Sequence, residues 1–306
     1  MAKGMYVGVN GVARKVKKMY VGVNSVARKV KKVYVGVNGV ARLAWQGTVP
    51  AGQVTFTSSQ LWTVPEGVSK IDIFCVGGGG GSLSTGGSKY TAITGAGSGY
   101  TSTVKNINVV PGQQIPITVG AGGTVIETSS SPSYGNAGGQ SVFGSYCHAN
   151  GGEGAMNNSS YNHPMCFYRT DSSSLPPNPD KPNNSNGGSG GGGVGLAYYY
   201  DNGETYVPIT MSGGVDGAIS AAFGSYANNT YLYWWGHGQG YTTKAFGEAQ
   251  NTLYSTGGSA NASTPQTPNT GNGGNGGLSY IWTVNPVYGT SGQSGIVIVR
   301  WAEQEQ

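Results

Sequence analysis

Glycine constrains this chain more than any other residue type, because it occurs in runs that an ordinary globular core does not contain. The runs begin at 77–81, continue at 187–193 with only Ser189 interrupting, and end as GNGGNGG at 271–277. Since glycine loses more backbone freedom on ordering than any other residue, a soluble segment of this kind is by default a flexible linker. The flanking sequence has to be considered before that default is accepted.

Composition and strand patterns favour an ordered structure over a linker. Charged residues make up only 9% of the 306 positions, and 20 Tyr and 6 Trp accompany 56 Gly, whereas disordered chains are usually highly charged and poor in aromatic residues. Short apolar patterns that are typical of strands lie on both sides of the glycine region: 54–56, 61–64, 71–76, 100–104, 107–109, 115–119 and 296–299.

The glycine runs lack a Gly-X-Y period, which argues against a collagen helix. Extended glycine helices with three residues per turn can instead lie side by side and pair their N–H and C=O groups laterally. The sequence therefore predicts an all-β protein with almost no α-helix, in which a β-sandwich-like frame carries stacked polyglycine-II-type helices and long loops. Long insertions lie at 155–186, 196–208 and 226–236, and the first of them, rich in Pro and Asn, is predicted to be an exposed loop.

A repeat with a period of 14 residues precedes this region. Its three copies are MYVGVNGVARKVKK from Met5, MYVGVNSVARKVKK from Met19 and VYVGVNGVARLAWQ from Val33. Asn-Gly between valine-rich segments is the strongest short hairpin signal, since both turn residues need a positive φ. With further turns at Lys17-Lys18 and its equivalent, the repeats predict a six-stranded β-hairpin meander with one valine face and one basic, aromatic face.

The charges divide the chain into two parts of opposite sign. Residues 1–44 contain ten of the 17 Lys and Arg and no acid, whereas the remainder has seven basic and twelve acidic residues. We therefore predict two domains, an anchoring and oligomerisation module at 1–46 and a glycine-rich domain at 47–306. The predicted partner-binding residues of the anchor are all basic: Arg14, Lys15, Lys17, Lys18, Arg28, Lys29, Lys31 and Lys32.

A single sheet of this size cannot bury its valine face alone, which favours docking of the repeats onto an acidic partner or onto further copies of the chain. Two other interpretations stay open: a solvated basic sheet with no partner, and a surface that contacts nucleic-acid phosphates. Strict repetition of one short unit is more natural for a structural part, so nucleic-acid binding is not expected.

Metal binding and catalysis have little support in the sequence. Cys147, His148, His163 and Cys166 are zinc-ligand types, but their spacing fits no metal motif, and no cofactor is expected. A Cys147–Cys166 disulfide and unlinked thiols are both compatible with the three cysteines. The twelve acids are scattered singly, and nucleophile-elbow, HExxH and phosphate-loop motifs are missing, so the protein is not expected to be an enzyme.

Targeting signals are also missing from the sequence. The first residues are not followed by the apolar core of a signal peptide, and no apolar run reaches 18 residues. We therefore expect synthesis in the cytoplasm and no insertion into a membrane.

Five blocks of the chain together resemble the glycine-rich domain of bacteriophage and prophage tail-fibre proteins: WTVPEGVSKIDIFCVGGGGG (62–81), GYTSTVKNINVVPGQQIPITVGAGG (99–123), SVFGSYCHANGG (141–152), TTKAFGE (242–248) and SGIVIVRW (294–301). The YVGVNGVARKVKK repeats resemble those in front of other phage-encoded structural proteins. The resemblance implies a virion protein, a tail-fibre or tail-tip adhesin in which stacked glycine helices hold loops that recognise the host surface.

The partners implied by this resemblance are other tail or baseplate proteins, a glycan or protein of the bacterial surface, and further copies of the chain, a trimer being usual for a fibre. A purely structural protein of the head, neck or baseplate is the alternative. Aromatic residues are the candidate receptor contacts, because rings give a large contact area at small entropic cost: Tyr198, Tyr199, Tyr200, Tyr231, Tyr233, Trp234, Trp235 and Trp282. The alternative role of these rings is to cap the glycine layer.

Overall fold

The structure, a computed structural model, describes most of the chain. The described residues are 5–84, 91–92, 95–127, 133–157, 195–200, 204–209, 216, 223–226, 231–234, 239, 242–259, 266–276, 278–279 and 288–305. Within these ranges the chain is all-β, as the sequence predicts, and the single helical element is a short 3-10 turn, η1 (Ala245–Gly247). None of these ranges holds a helix long and apolar enough to cross a membrane.

Three hairpins form the N-terminal region, one in each repeat. Their strands are β1 (Tyr6–Val9), β2 (Val12–Lys15), β3 (Tyr20–Val23), β4 (Val26–Lys29), β5 (Lys32–Val37) and β6 (Val40–Gln46). The predicted turns are confirmed, since Asn10 and Gly11 have φ angles of 53° and 76° and Val9 lies opposite Val12. The same positions of the other two repeats also have positive φ.

The hairpins do not join into the predicted six-stranded sheet. Each is a separate two-stranded sheet, and Lys17-Lys18 links two hairpins instead of forming a turn between paired strands. The physical reason lies at Val16, whose N–H donates to the Met5 carbonyl of its own hairpin at 2.8 Å. The Val16 carbonyl accepts the indole N–H of Trp45, also at 2.8 Å, so both backbone groups of Val16 are directed to partners other than the next hairpin.

Twenty further strands follow the hairpins. In chain order they are β7 (Thr48–Val49), β8 (Gly52–Phe56), β9 (Gln60–Thr63), β10 (Lys70–Val76), β11 (Leu83–Ser84), β12 (Thr91–Ala92), β13 (Thr101–Asn108), β14 (Gln114–Thr118), β15 (Ile126–Glu127), β16 (Ser133–Tyr134), β17 (Ser141–Phe143), β18 (Cys147–Ala149), β19 (Met156–Asn157), β20 (Gly195–Tyr200), β21 (Glu204–Ile209), β22 (Phe223–Tyr226), β23 (Tyr231–Trp234), β24 (Leu278–Ser279), β25 (Ile296–Trp301) and β26 (Gln304–Glu305).

Two four-stranded sheets form the predicted sandwich: sheet 1 in the order β13-β10-β25-β8, and sheet 2 in the order β18-β17-β14-β9. Alternation along β10 directs Ile71 and Ile73 into the core between the sheets, where the tilted rings of Trp62 and Phe143 pack with their centroids 5.7 Å apart. Strand β13 is continuous where the sequence predicts two strands, and a bulge at Asn106, with φ 61°, marks the predicted break.

The outer face of sheet 1 is also covered. Phe74 of β10 and Ile298 of β25 point away from sheet 2 and pack in a second cluster with Phe246 and Tyr254. Residues 242–254 therefore form a lid of irregular chain on this face, and sheet 1 is buried on both sides.

Candidate functional site

Eight glycine-rich segments extend from one end of the sandwich and form what we call the glycine bundle: 77–82, 95–100, 120–126, 135–140, 150–155, 255–259, 270–276 and 289–295. Successive N–H groups of segment 77–82 donate to three neighbouring segments in turn, and the pattern repeats after three residues. These bonds, 2.8–3.0 Å long, run from Gly77 to Tyr100, Gly78 to Gly139, Gly79 to Gln293, Gly80 to Gly97, Gly81 to Asn136 and Ser82 to Thr290.

The carbonyl groups of segment 77–82 accept from three other segments. The donors are Gly152 to Gly78, Gly123 to Gly79, Gly274 to Gly80, Ala155 to Gly81 and Ile126 to Ser82. The three accepting neighbours run antiparallel to the central segment and the three donating neighbours run parallel to it. A repeat of three residues with six lateral neighbours is the geometry of packed polyglycine-II helices, so the predicted stacking is confirmed.

The centre of the bundle has no room for a side chain. A Cβ atom added at Gly79 would lie 1.9 Å from the carbonyl oxygen of Asn272, and one added at Gly77 would lie 2.0 Å from that of Asn150. Real Cβ atoms do not approach backbone oxygens this closely. The run 77–81 is therefore glycine because all of its sides are occupied by backbone.

The bundle joins the sandwich at one end only. Strand β10 continues from the sandwich into the central segment, and β14 and β18 continue into segments that run parallel to it. The three antiparallel segments lead back into β13, β17 and β25. At the opposite end lie three ladders of two residues each, β11–β15, β12–β24 and β16–β19. In sequence these ladders flank residues 85–90, 128–132 and 158–194. These ladders therefore mark the end of the glycine bundle that is remote from the sandwich.

The N-terminal hairpins contact the other end of the sandwich. Lys31 forms a hydrogen-bonded ion pair with Glu66, which precedes β10, and Lys17 lies 4.0 Å from Glu303, which follows β25. The hydrogen bond and charge of Lys31 hold the pKa of Glu66 below its usual value. Hairpins, sandwich, glycine bundle and terminal ladders therefore follow one another along the molecule.

The sandwich and the glycine bundle match a known protein family. The model of the family described as "Glycine-rich domain" matches residues 54–302, which include both the sandwich and the bundle. The chain belongs to this glycine-rich domain family. Among curated proteins, none matches the chain significantly.

The eight predicted anchor residues all lie outside the part of the chain that the glycine-rich domain family covers, and all are exposed. Exposed valines accompany them at the hairpin tips: Val12, Val26 and Val40, at equivalent repeat positions, are each 58% exposed. The hairpin bases are more protected, and Trp45 is fully buried. The tips therefore offer apolar side chains, whereas the basic residues lie closer to the hairpin bases.

The structure brings the backbones of the two predicted aromatic clusters together. Strand β20 contains Tyr198, Tyr199 and Tyr200, and it lies beside β23, which contains Tyr231, Tyr233 and Trp234. Each strand also pairs antiparallel with its own partner, β20 with β21 and β23 with β22. Trp235 and Trp282 lie outside the described residues.

Strand pairing adds three aromatic residues that the sequence analysis missed. In register, Tyr206 lies opposite Tyr198, Tyr226 opposite Tyr231, and Phe223 opposite Trp234. An isolated ring carries no signal by itself, but alignment of the two segments as hairpins would have placed these three residues beside the clusters.

The lid at 242–254, which follows these aromatic strands in the glycine-rich domain, is fixed by Arg300. The Arg300 guanidinium donates two hydrogen bonds to the Glu248 carboxylate, at 2.9 and 2.6 Å, and a third to Asp72 at 3.2 Å. It also lies 3.9 Å above the ring of Phe246. Hydrogen bonding by Arg300 lowers the pKa of Glu248 from 4.5 to about 2. Arg300 thus holds the lid against sheet 1, directly before the chain enters bundle segment 255–259.

The Cys147-His148 pair does not form a joint ligand set. Cys147 is buried in the sandwich and His148, the next residue of β18, is exposed on the opposite face. Throughout the described part of the chain, no three His, Cys, Asp or Glu side chains converge as metal ligands would. His163 and Cys166 lie outside the described residues.

Proposed function

We propose that the protein is a structural component of a bacteriophage virion, a tail-fibre or tail-tip adhesin. Its N-terminal hairpins attach it to other virion proteins or to further copies of the chain, and loops at the far end of the glycine bundle recognise a glycan or protein of the bacterial surface. Catalysis and nucleic-acid binding have no part in this proposal.

The order of the parts along the molecule is the observation that carries the proposal. The basic hairpins touch the sandwich near Glu66 and Glu303, whereas the bundle leaves the sandwich from the other ends of β10 and β25. An adhesin needs its attachment surface and its recognition surface on opposite sides of a stiff body. This polarity fits such a task better than it fits a compact enzyme or a carrier of a small ligand.

The bundle supplies the stiffness that this arrangement requires. Its central helix is hydrogen-bonded to six neighbours, so the segments cannot slide without breaking several backbone bonds at once. Loops that begin and end on such a base have fixed ends while their sequences can differ, which is how rigid scaffolds carry recognition loops.

The charge contrast supports attachment through the hairpins. The eight exposed basic residues of the repeats precede a body in which acids outnumber bases. An acidic partner surface would be attracted to the hairpins and could cover the exposed valines at their tips.

Binding to host cells tests the recognition half of the proposal. The full chain, fluorescently labelled, is compared with a Tyr233→Ala, Trp234→Ala, Trp235→Ala variant on cells of the host bacterium. We expect the variant to bind at least tenfold more weakly with an unchanged melting temperature. Tyr20→Ala, which removes an exposed tyrosine of a hairpin, is the matched control and should bind like the wild type.

The alternative is a purely structural virion protein in which the aromatic residues cap the glycine layer. In that case the triple variant would melt at a lower temperature, and the wild-type chain would not bind cells. Deletion of residues 1–46 tests the attachment half: the shortened chain should fold but be missing from assembled particles. Normal incorporation of the shortened chain would contradict attachment through the hairpins.

A further inference from the structure

We infer that Cys75 and Cys147 form a disulfide across the sandwich when the protein meets a peroxide oxidant. The bond would join β10 of sheet 1 to β18 of sheet 2. This inference concerns the sandwich core and does not depend on the proposed role in a virion.

The two thiols already face each other in the core between the sheets. Cys75 is 0% exposed and Cys147 is 4% exposed, and both belong to the same cluster of buried residues. Both are free thiols, and each shifts the pKa of the other. The Cys147 thiol also lies 3.8 Å from the carbonyl oxygen of Ser102, the residue that pairs with Cys75 in β13.

The glycine bundle fixes the strands that carry these cysteines. Strand β10 continues directly into segment 77–82, and β18 continues into the neighbouring segment 150–155. The Gly152 N–H donates to the Gly78 carbonyl at 2.8 Å, within a few residues of both cysteines. Because the strand ends cannot drift apart, the two thiols stay close to each other, and rotation of their side chains is the movement that brings the sulfur atoms to the bond length of about 2.05 Å.

The surroundings of the two thiols shift their pKa values in opposite directions. Interaction with Cys75 lowers the pKa of Cys147, while interaction with Cys147 and burial raise the pKa of Cys75. Cys147 is therefore the thiol that ionises and acts as nucleophile, and Cys75 is the thiol that resolves the intermediate.

The reaction proceeds in two steps with hydrogen peroxide as oxidant. The Cys147 thiolate attacks one peroxide oxygen, the O–O bond breaks, and a sulfenic acid forms while hydroxide leaves and takes up a proton. The Cys75 sulfur then attacks the sulfenic sulfur, the S–S bond forms, and water leaves with the Cys75 proton. Two thiols lose two electrons and two protons, and one peroxide becomes two waters.

The cross-link should be visible in the melting temperature. It closes a loop of about 70 residues, and a bond of that span restricts the unfolded chain. We expect the melting temperature of the oxidised protein to rise by roughly 5–10 °C relative to the reduced protein.

The test uses the full chain with Cys166→Ser, so that Cys75 and Cys147 are the only thiols present. The reduced protein is treated with hydrogen peroxide, unfolded without reductant, alkylated and weighed intact. We expect a loss of two hydrogens, no alkyl adduct, a non-reduced peptide that joins Cys75 to Cys147, and the higher melting temperature. The same chain with Cys147→Ala is the control and should show neither the linked peptide nor the shift.

Two alkyl adducts, oxygen adducts without a linked peptide, or a cross-link between two chains would each overturn the inference. So would a peptide that joins Cys147 to Cys166 in the oxidised wild type. If the Cys147→Ala control does not fold, the mass and linked peptide of the Cys166→Ser chain decide the question alone.

Discussion

The sandwich and the glycine bundle are joined end to end, yet they hold the chain together in opposite ways. In the sandwich, large side chains such as Trp62 and Phe143 fill the space between two sheets, so apolar burial is the main source of stability. In the bundle, the central helix lacks side chains from Gly77 to Gly81 and is surrounded by backbone hydrogen bonds. One domain thus combines a core made of side chains with a core made of peptide groups.

This difference implies opposite rules for substitution. A side-chain core loses stability when volume is removed, because a cavity remains. A peptide core loses stability when volume is added, because even one methyl group separates helices whose N–H and C=O groups must stay within bonding distance.

Gly79→Ala should be the most damaging single change. Its new Cβ would lie 1.9 Å from the Asn272 carbonyl oxygen, so the helices must separate and lose the bonds of Gly79 to Gln293 and Gly123, which are 2.9 and 2.8 Å long. We expect a loss of about 4 kcal/mol or more in the free energy of unfolding, or a chain that does not fold. Denaturant unfolding of the purified protein measures it.

Gly8→Ala is the matched control for this change. Gly8 lies in strand β1, and a Cβ added there has no atom within 4 Å, so the free energy of unfolding should change by less than about 0.5 kcal/mol. Wild-type stability in Gly79→Ala would refute the peptide core, whereas equal damage by both changes would indicate a general intolerance of substitution.

Phe143→Ala should come next. Phe143 is fully buried and contacts both Trp62 and Tyr146, so truncation should cost about 3–5 kcal/mol, whereas Phe143→Leu should cost less because it leaves a smaller cavity. The two denaturation midpoints measure the effect. Equal loss for Ala and Leu would mean that this core is as intolerant of any side-chain change as the bundle.

The sequence predicts much of this contrast but not the arrangement within the bundle. Strands on either side of the glycine runs, and the turns at Asn10-Gly11 and its equivalents, follow from local patterns that the structure confirms. Which glycine segments become neighbours cannot be inferred locally, because a residue without a side chain carries no information about its partner. The strands impose that order, since β10, β14 and β18 set where segments begin.

Long-range contacts explain the other differences between sequence and structure. The six-stranded meander is wrong because Trp45 and Met5 occupy the backbone groups of Val16, and a periodic pattern does not reveal a contact 29 residues away. The ion pair of Arg300 with Glu248 joins positions 52 residues apart, and neither side chain stands out in sequence. The boundary at residues 46 and 47 and the candidate receptor contacts stay predictions.

Acid should weaken the lid on sheet 1 before it affects the bundle, which has no titratable group at its centre. The pKa of Glu248 is about 2 in the folded protein and 4.5 ordinarily, so its ion pair with Arg300 contributes stability above pH 4.5 that is lost as the pH falls toward 2. The denaturation midpoint should decline over this range, and less so in Glu248→Gln. Parallel pH profiles of the two proteins would exclude Glu248 as the source.

The smallest effect on folding should come from the hairpin tips. Val12→Thr, Val26→Thr and Val40→Thr change equivalent positions that are each 58% exposed, so each should alter the free energy of unfolding by less than about 0.5 kcal/mol. If the tips bind further copies of the chain, the wild type should have a mass in solution that is a multiple of 31.3 kDa, and the triple variant should be a monomer. A triple variant that is as stable as the wild type but has a lower mass in solution would show that the hairpins mediate association. The sandwich and the bundle would then be the sources of stability. A large loss of stability would instead make the hairpins a third part of the folded core.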